Sequence, residues 1–103
     1  MKTLYIDTRD NNNIVVRLET EERKFEETSE ARKERAQAAL PMIERILTKA
    51  GIKLSDVDEI KVETGPGSYT GLRVGIAIAN ALSFGGNIKI NGKEPGDIVL
   101  PEY

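Results

Sequence analysis

Along the chain, the spacing of apolar positions switches between the two-residue period of strands and the wider period of helices. Leu4 and Ile6 alternate with Tyr5 and Asp7, which predicts a first strand over residues 2–7. Asp10-Asn11-Asn12-Asn13 is a turn cluster, because Asn and Asp tolerate left-handed backbone and bond to it locally. A second strand is predicted over 14–19 and a third over 23–28, where Phe25 is the only strongly apolar side chain. Together they read as an antiparallel meander. From 30 to 50, Ala36, Leu40, Ile43, Leu47 and Ala50 form one helical stripe, and Ala38, Met42 and Ile46 widen it. Thr28 or Ser29 is the expected N-cap and Gly51 the expected left-handed C-terminal residue. Pro41 removes one backbone donor, so a kink near Gln37 is expected.

The second half repeats the alternation. Residues 55–58 have capping-box spacing and predict one helical turn. Ile60 and Val62 alternate with Lys61 and Glu63, a strand over 59–63. Leu72 to Phe84 is nearly all apolar or small, which suits a buried helix. Gly85-Gly86 is expected to end it, followed by a strand over 87–91. Asn91-Gly92 and Pro95-Gly96 are turn dipeptides, and Ile98–Leu100 is a candidate last strand. The order is βββαβαβ. It predicts an α/β fold, a mixed sheet of about five strands with two main helices packed on it.

At 103 residues the chain is one domain with a modest core, too small for two lobes around a cleft. It has no cysteine and no histidine, so disulfides, thiolate chemistry, imidazole ligands and a Ser–His pair are all unavailable. Fifteen basic residues face seventeen acidic ones, a net charge of −2. That balance offers no concentrated grip on nucleic acid, so any nucleic acid would be met only indirectly, through a partner. The acidic run of Glu19, Glu21, Glu22, Glu26, Glu27 and Glu30 reads as a solvated face. The apolar start ends at Asp7, too early for a signal peptide, and no apolar run is long enough to span a bilayer. The expected address is cytoplasmic, away from membranes.

One stretch stands out, Thr64-Gly65-Pro66-Gly67-Ser68-Tyr69-Thr70-Gly71-Leu72-Arg73-Val74-Gly75. Strand, glycine turn and helix aim backbone N–H groups and a helix N-terminus at one point. It is no P-loop, since Leu72 and Arg73 follow Gly71 where Lys and Ser or Thr are needed. Gly65, Gly67 and Gly71 are also one residue too widely spaced for a dinucleotide fingerprint. The segment GPGSYTGLRVG resembles the GPGSFTGLR signature of the TsaB (YeaZ) family. That resemblance implies a single ribonuclease H-like lobe of the actin-like ATPase superfamily and a place in tRNA threonylcarbamoyladenosine synthesis. It covers roughly residues 1–92. Family members usually continue into a second lobe, so 1–103 is read as one N-terminal lobe with a short tail, either a natural minimal form or a shortened one.

The resemblance implies a non-catalytic subunit that pairs through its two helices with the catalytic TsaD-type subunit, with a TsaE-type ATPase in the assembly. A homodimer in isolation is compatible with it. ATP and Mg²⁺ are expected only at a subunit interface, not on this chain alone. The helices point the same way. Gly71, Gly75 and Ala79 recur four apart, and an interior glycine costs about 1 kcal/mol relative to alanine, which close packing must offset. Both helices carry more apolar surface than one sheet can cover, so another chain is expected on them. The expected interface is Met42, Ile46, Gly71, Leu72, Arg73, Gly75, Ile76 and Ala79. No catalytic residue and no metal ligand is nominated, and Ser68 and Thr70 read as caps of the second helix. The alternatives are a nucleotide-binding or phosphotransfer module with Asp7, Thr8, Gly65, Gly67 and Ser68 facing phosphate, or a self-associating structural domain. Arg9 stands where the family often has serine after Asp-Thr.

Overall fold

The computed structural model of the chain describes residues 1–10, 12–30 and 35–102. In chain order the elements are β1 (Thr3–Asp7), β2 (Asn13–Glu19), β3 (Lys24–Glu30), α1 (Arg35–Ala50), a 3-10 turn (Leu54–Asp56), β4 (Glu59–Val62), α2 (Tyr69–Gly86) and β5 (Lys89–Ile90). The five strands form one sheet in the order β3-β2-β1-β4-β5. β1, β2 and β3 pair antiparallel, whereas β4 runs parallel to both β1 and β5. A meander followed by two helical crossovers is the ribonuclease H-like lobe that the element order predicted.

Strand alternation decides which side of the sheet is dry. Leu4 and Ile6 of β1, Ile14, Val16 and Leu18 of β2, and Ile60 and Val62 of β4 are buried beneath the helices. Met42, Ile43, Ile46 and Leu47 of α1 and Leu72, Ile76 and Ala79 of α2 complete that core. Alternate residues face the other side and form a polar ladder. Arg17 donates to Glu26 at 2.6 Å and lies 5.7 Å from the Tyr5 ring centre, and the Tyr5 hydroxyl donates to Glu63 at 3.0 Å. The acidic run is mostly exposed, as expected of a solvated face. Glu27 is the exception, turned toward α1 between Arg45 (3.3 Å) and Lys49 (3.5 Å).

Several boundaries differ from the sequence reading. β3 continues through Thr28, Ser29 and Glu30, paired with Val15, Ile14 and Asn13, so neither Thr28 nor Ser29 caps α1. The helix expected from residue 30 does not begin there, because Glu30 belongs to β3; residues 31–34, and Asn11 of the turn cluster, lie outside the described residues. Pro41 stands within a helix assigned on both sides of it. Gly51 takes the left-handed conformation expected of it, φ 71°, and Ile52 N–H bonds back to Leu47 O at 3.1 Å. α2 runs through Gly85 and Gly86 and ends at left-handed Asn87, φ 55°, because that residue's N–H reaches Ser83 O.

The last strand expected at residues 98–100 does not form. Ile98–Leu100 is instead held by a side chain imitating one. The Asn80 amide donates to Val99 O and accepts from Val99 N–H, both at 3.0 Å. Glu102 N–H then bonds Thr64 O at 2.6 Å, which straps the tail across α2 and onto the glycine turn.

Candidate docking face and the glycine turn

The glycine turn is packed against its own chain. Ser68 is the N-cap of α2, its hydroxyl accepting from Gly71 N–H at 3.3 Å, while its own N–H bonds Arg9 O at 2.9 Å. A Cβ on Gly67 would lie 2.8 Å from Arg9 Cβ, and one on Gly65 would overlap the Glu102 carbonyl oxygen. The turn is thus wedged between the exit of β1 and the C-terminal strap.

Thr8 is fully buried and donates its hydroxyl to Gly71 O at 2.6 Å. That hydroxyl points into the protein, toward α2. Asp7 is engaged as well. Its carboxylate accepts from Arg9 Nε at 3.1 Å, from Arg9 Nη2 at 3.0 Å and from Arg9 N–H at 3.0 Å. Burial, the largest single influence, pushes the Asp7 carboxyl up, but the Arg9 hydrogen bonds and the Arg9 and Arg17 charges together hold it below its usual value. Arg9 Nη1 also lies 3.7 Å from Glu63. Asp7, Thr8, Gly65, Gly67 and Ser68 do meet at one corner, beside an open cleft of about 630 Å³. At this corner the Thr8 hydroxyl and the Asp7 carboxylate are taken up by bonds within the chain. Among the described residues no three His, Cys, Asp or Glu side chains cluster as metal ligands.

The expected interface also needs correction. Met42, Ile46, Gly71, Leu72, Gly75, Ile76 and Ala79 are all buried in the chain's own core, and only Arg73 reaches the surface. The small-residue face of α2 receives the exit of β1, not a foreign helix. A Cβ on Gly75 would overlap Thr8 Oγ1. What remains outside is a different stripe. Val74, Ala77, Ala81 and Phe84 fall on one side of α2 by helical periodicity, Val74 half-buried and the other three exposed, with Phe84 77% exposed. At its N-terminal end Arg73 stacks on Tyr69, 5.4 Å from the ring centre, and donates to its hydroxyl at 3.0 Å. The strap alongside presents Ile98 and Leu100 outward. On α1, among the described side chains, Leu40 and Pro41 are exposed beside the polar Glu44, Arg45, Thr48 and Lys49.

The surplus is therefore carried by one helix. The 74–77–81–84 spacing was present in the sequence. The more regular Gly71–Gly75–Ala79 series beside it has an internal role.

The family model of TsaD, tRNA N6-adenosine threonylcarbamoyltransferase, matches residues 23–92. The chain belongs to that family. Its curated relatives include the tRNA threonylcarbamoyladenosine biosynthesis protein TsaB of Escherichia coli, 42% identical over 60 residues, a match covering 58% of this chain and 26% of the relative. TsaB of Haemophilus influenzae is 47% identical over 51 residues, covering 50% of this chain and 22% of the relative. A tRNA N6-adenosine threonylcarbamoyltransferase of Chromobacterium violaceum is 43% identical over 60 residues, covering 58% of this chain and 18% of the relative. Among solved structures, YeaZ from Pseudomonas aeruginosa superposes with a TM-score of 0.81 at 32% identity, over 86% of this chain and 41% of that one. The resemblance read from GPGSYTGLRVG is thereby borne out, and so is the single actin-like, ribonuclease H-like lobe. The match spans about a quarter of the two TsaB relatives.

Proposed function

We propose that this chain is a non-catalytic, partner-docking lobe in tRNA threonylcarbamoyladenosine biosynthesis, and that it pairs with a TsaD-type catalytic subunit. The observation carrying the proposal is the outward stripe of α2, Val74, Ala77, Ala81 and Phe84, with Phe84 77% exposed. Burying one large apolar side chain stabilises by roughly 1.5–3 kcal/mol. Two alanines at the centre of the stripe let a facing helix approach closely, and the aromatic at its end supplies an anchor of the kind found at interface hot spots. The site chemistry supports the non-catalytic part of this reading. Asp7 is neutralised by Arg9, Thr8 is turned inward, and the chain has no imidazole or thiol. Phosphoryl transfer needs a metal clamp and a positioned nucleophile, and the bonds already made by Asp7 and Thr8 weigh against either role for them.

The test is co-purification with a tRNA N6-adenosine threonylcarbamoyltransferase, followed by light scattering of the mixture. A one-to-one complex is expected, and Ala81→Arg should abolish it while the chain's circular dichroism is unchanged. A folded Ala81→Arg chain that pairs as tightly as the original would remove α2's outer side as the docking surface.

A further inference from the structure

The chain's single Asn-Gly step, Asn91-Gly92, is built into the end of the sheet with both of its reactive groups held. Asn-Gly is the dipeptide most prone to deamidation, because glycine has no side chain to shield its nitrogen and turns freely. In that reaction the Gly92 nitrogen loses its proton to a base in solution and attacks Asn91 Cγ. The C–N bond that forms displaces ammonia and leaves a five-membered succinimide. Water then opens the ring at either carbonyl, giving aspartate or isoaspartate. The net change is water in and ammonia out, with no oxidation or reduction.

Here neither group is free. The Asn91 amide is clamped on the Val62 backbone, accepting from Val62 N–H at 2.9 Å and donating to Val62 O at 3.0 Å. The attacking nitrogen is engaged separately, since Gly92 N–H donates to Glu59 Oε2 at 2.7 Å. Both residues sit in left-handed backbone, φ 47° and 78°. The turn is tied off by Ile90 and Lys93, which exchange backbone bonds at 3.0 and 2.8 Å. A charge-assisted bond to the nitrogen opposes the turn of that nitrogen onto Cγ. A carboxylate is also far too weak a base to take a proton from a peptide nitrogen, so Glu59 restrains the step rather than promotes it.

We propose that Asn91-Gly92 is a latent deamidation site, latched by Glu59 and Val62, that reacts only when β5 leaves β4. β5 is two residues long, lies at the sheet edge and pairs with β4 at Glu59↔Lys89 and Ile60↔Ile90, with Asn91 N–H adding a bond to Ile60 O at 2.9 Å. Short edge elements open locally at far lower free energy than the core. Once reacted, the site cannot relatch. An aspartate side chain has no N–H to give Val62 O and adds a negative charge near Glu59. Isoaspartate lengthens the backbone by one carbon and breaks the turn's register. The modification is thus a one-way record of β5 opening.

The experiment incubates the full chain at mildly alkaline pH and follows position 91 by peptide mapping and isoaspartate detection. Deamidation is expected to be slower in the folded chain than in the urea-unfolded chain by about tenfold or more, the protection that local hydrogen-bonded structure confers. Folded Glu59→Ala should fall between the two. Equal rates folded and unfolded, or a folded Glu59→Ala chain as slow as the original, would overturn the latch. Should Glu59→Ala fail to fold, the original chain in sub-denaturing urea serves instead. Its deamidation rate should rise in parallel with amide exchange at Ile90 and Gly92, and a rate that stays flat while exchange rises overturns the proposal.

Discussion

Thr8 and Gly75 meet with no room for a carbon atom between them, and this contact sets how closely α2 approaches β1. The buried Thr8 hydroxyl reaches past Gly75 to Gly71 O, one turn earlier on the same helix. A threonine at the exit of β1 and two glycines on α2 thus form one unit, in which the glycines clear a path and the hydroxyl fills it.

Gly75→Ala measures that unit. Alanine favours the helix by about 1 kcal/mol. Against this, overpacking typically costs about 1–3 kcal/mol and loss of the Thr8 bond about a further 1 kcal/mol. A net destabilisation of about 1–3 kcal/mol is expected in denaturant titrations. Adding Thr8→Ala should recover part of it, because residues in contact do not add independently.

Asp7 predicts a pH dependence. Its folded carboxyl titrates below the ~3.9 of an unfolded aspartate. A depressed folded value means that the unfolded chain takes up the proton first as pH falls. The contribution is therefore complete above the unfolded value and is lost as pH drops through the folded one. Urea midpoints between mildly acidic and strongly acidic pH should fall less steeply for Asp7→Asn than for the original chain.

The strap yields to a single substitution. Asn80→Ala removes both bonds to Val99 and leaves that residue's N–H and C=O without their partner. A loss of about 1–3 kcal/mol is expected. Amide exchange at Val99 and Glu102 should accelerate while exchange in β1 and β2 is unchanged. Asn80→Asp keeps the acceptor but not the donor and should have an intermediate effect.

The sheet was legible because its signal is local. Leu4 and Ile6, Ile14 and Val16, and Ile60 and Val62 each announce a buried strand side within a few residues. The left-handed residue at Gly51 and the Ser68 cap were legible for the same reason. What sequence reasoning missed depends on residues far apart in the chain. Arg9 looked like a mere departure from a motif, yet it occupies both oxygens of Asp7. Asn80 falls within a run that reads as a buried helix, and Asn91 within a turn dipeptide. They act as substitute strand partners for Val99 and Val62. Gly75 signalled a close approach correctly, but its spacing cannot say whether the neighbour belongs to the same chain. The burial of Leu72 and Ile76 decides that it does.

That distinction separates two sets of substitutions. Leu72 and Met42 are core residues, so Leu72→Ala or Met42→Ala should cost about 2–5 kcal/mol of folding stability. Pairing per folded molecule should be unaffected, because neither side chain reaches the surface. Phe84, 77% exposed, should behave in the opposite way. Phe84→Ala should leave the urea midpoint nearly unchanged, within the ~0.5 kcal/mol usual for surface positions, and weaken binding to a TsaD-type subunit by about 2 kcal/mol if it is an anchor. Denaturation midpoints and titration calorimetry on the same three variants make the comparison. Should Leu72→Ala weaken binding by more than its loss of folded population explains, while Phe84→Ala binds normally, the docking surface lies on another part of the molecule and α2's outward stripe is ordinary exposure.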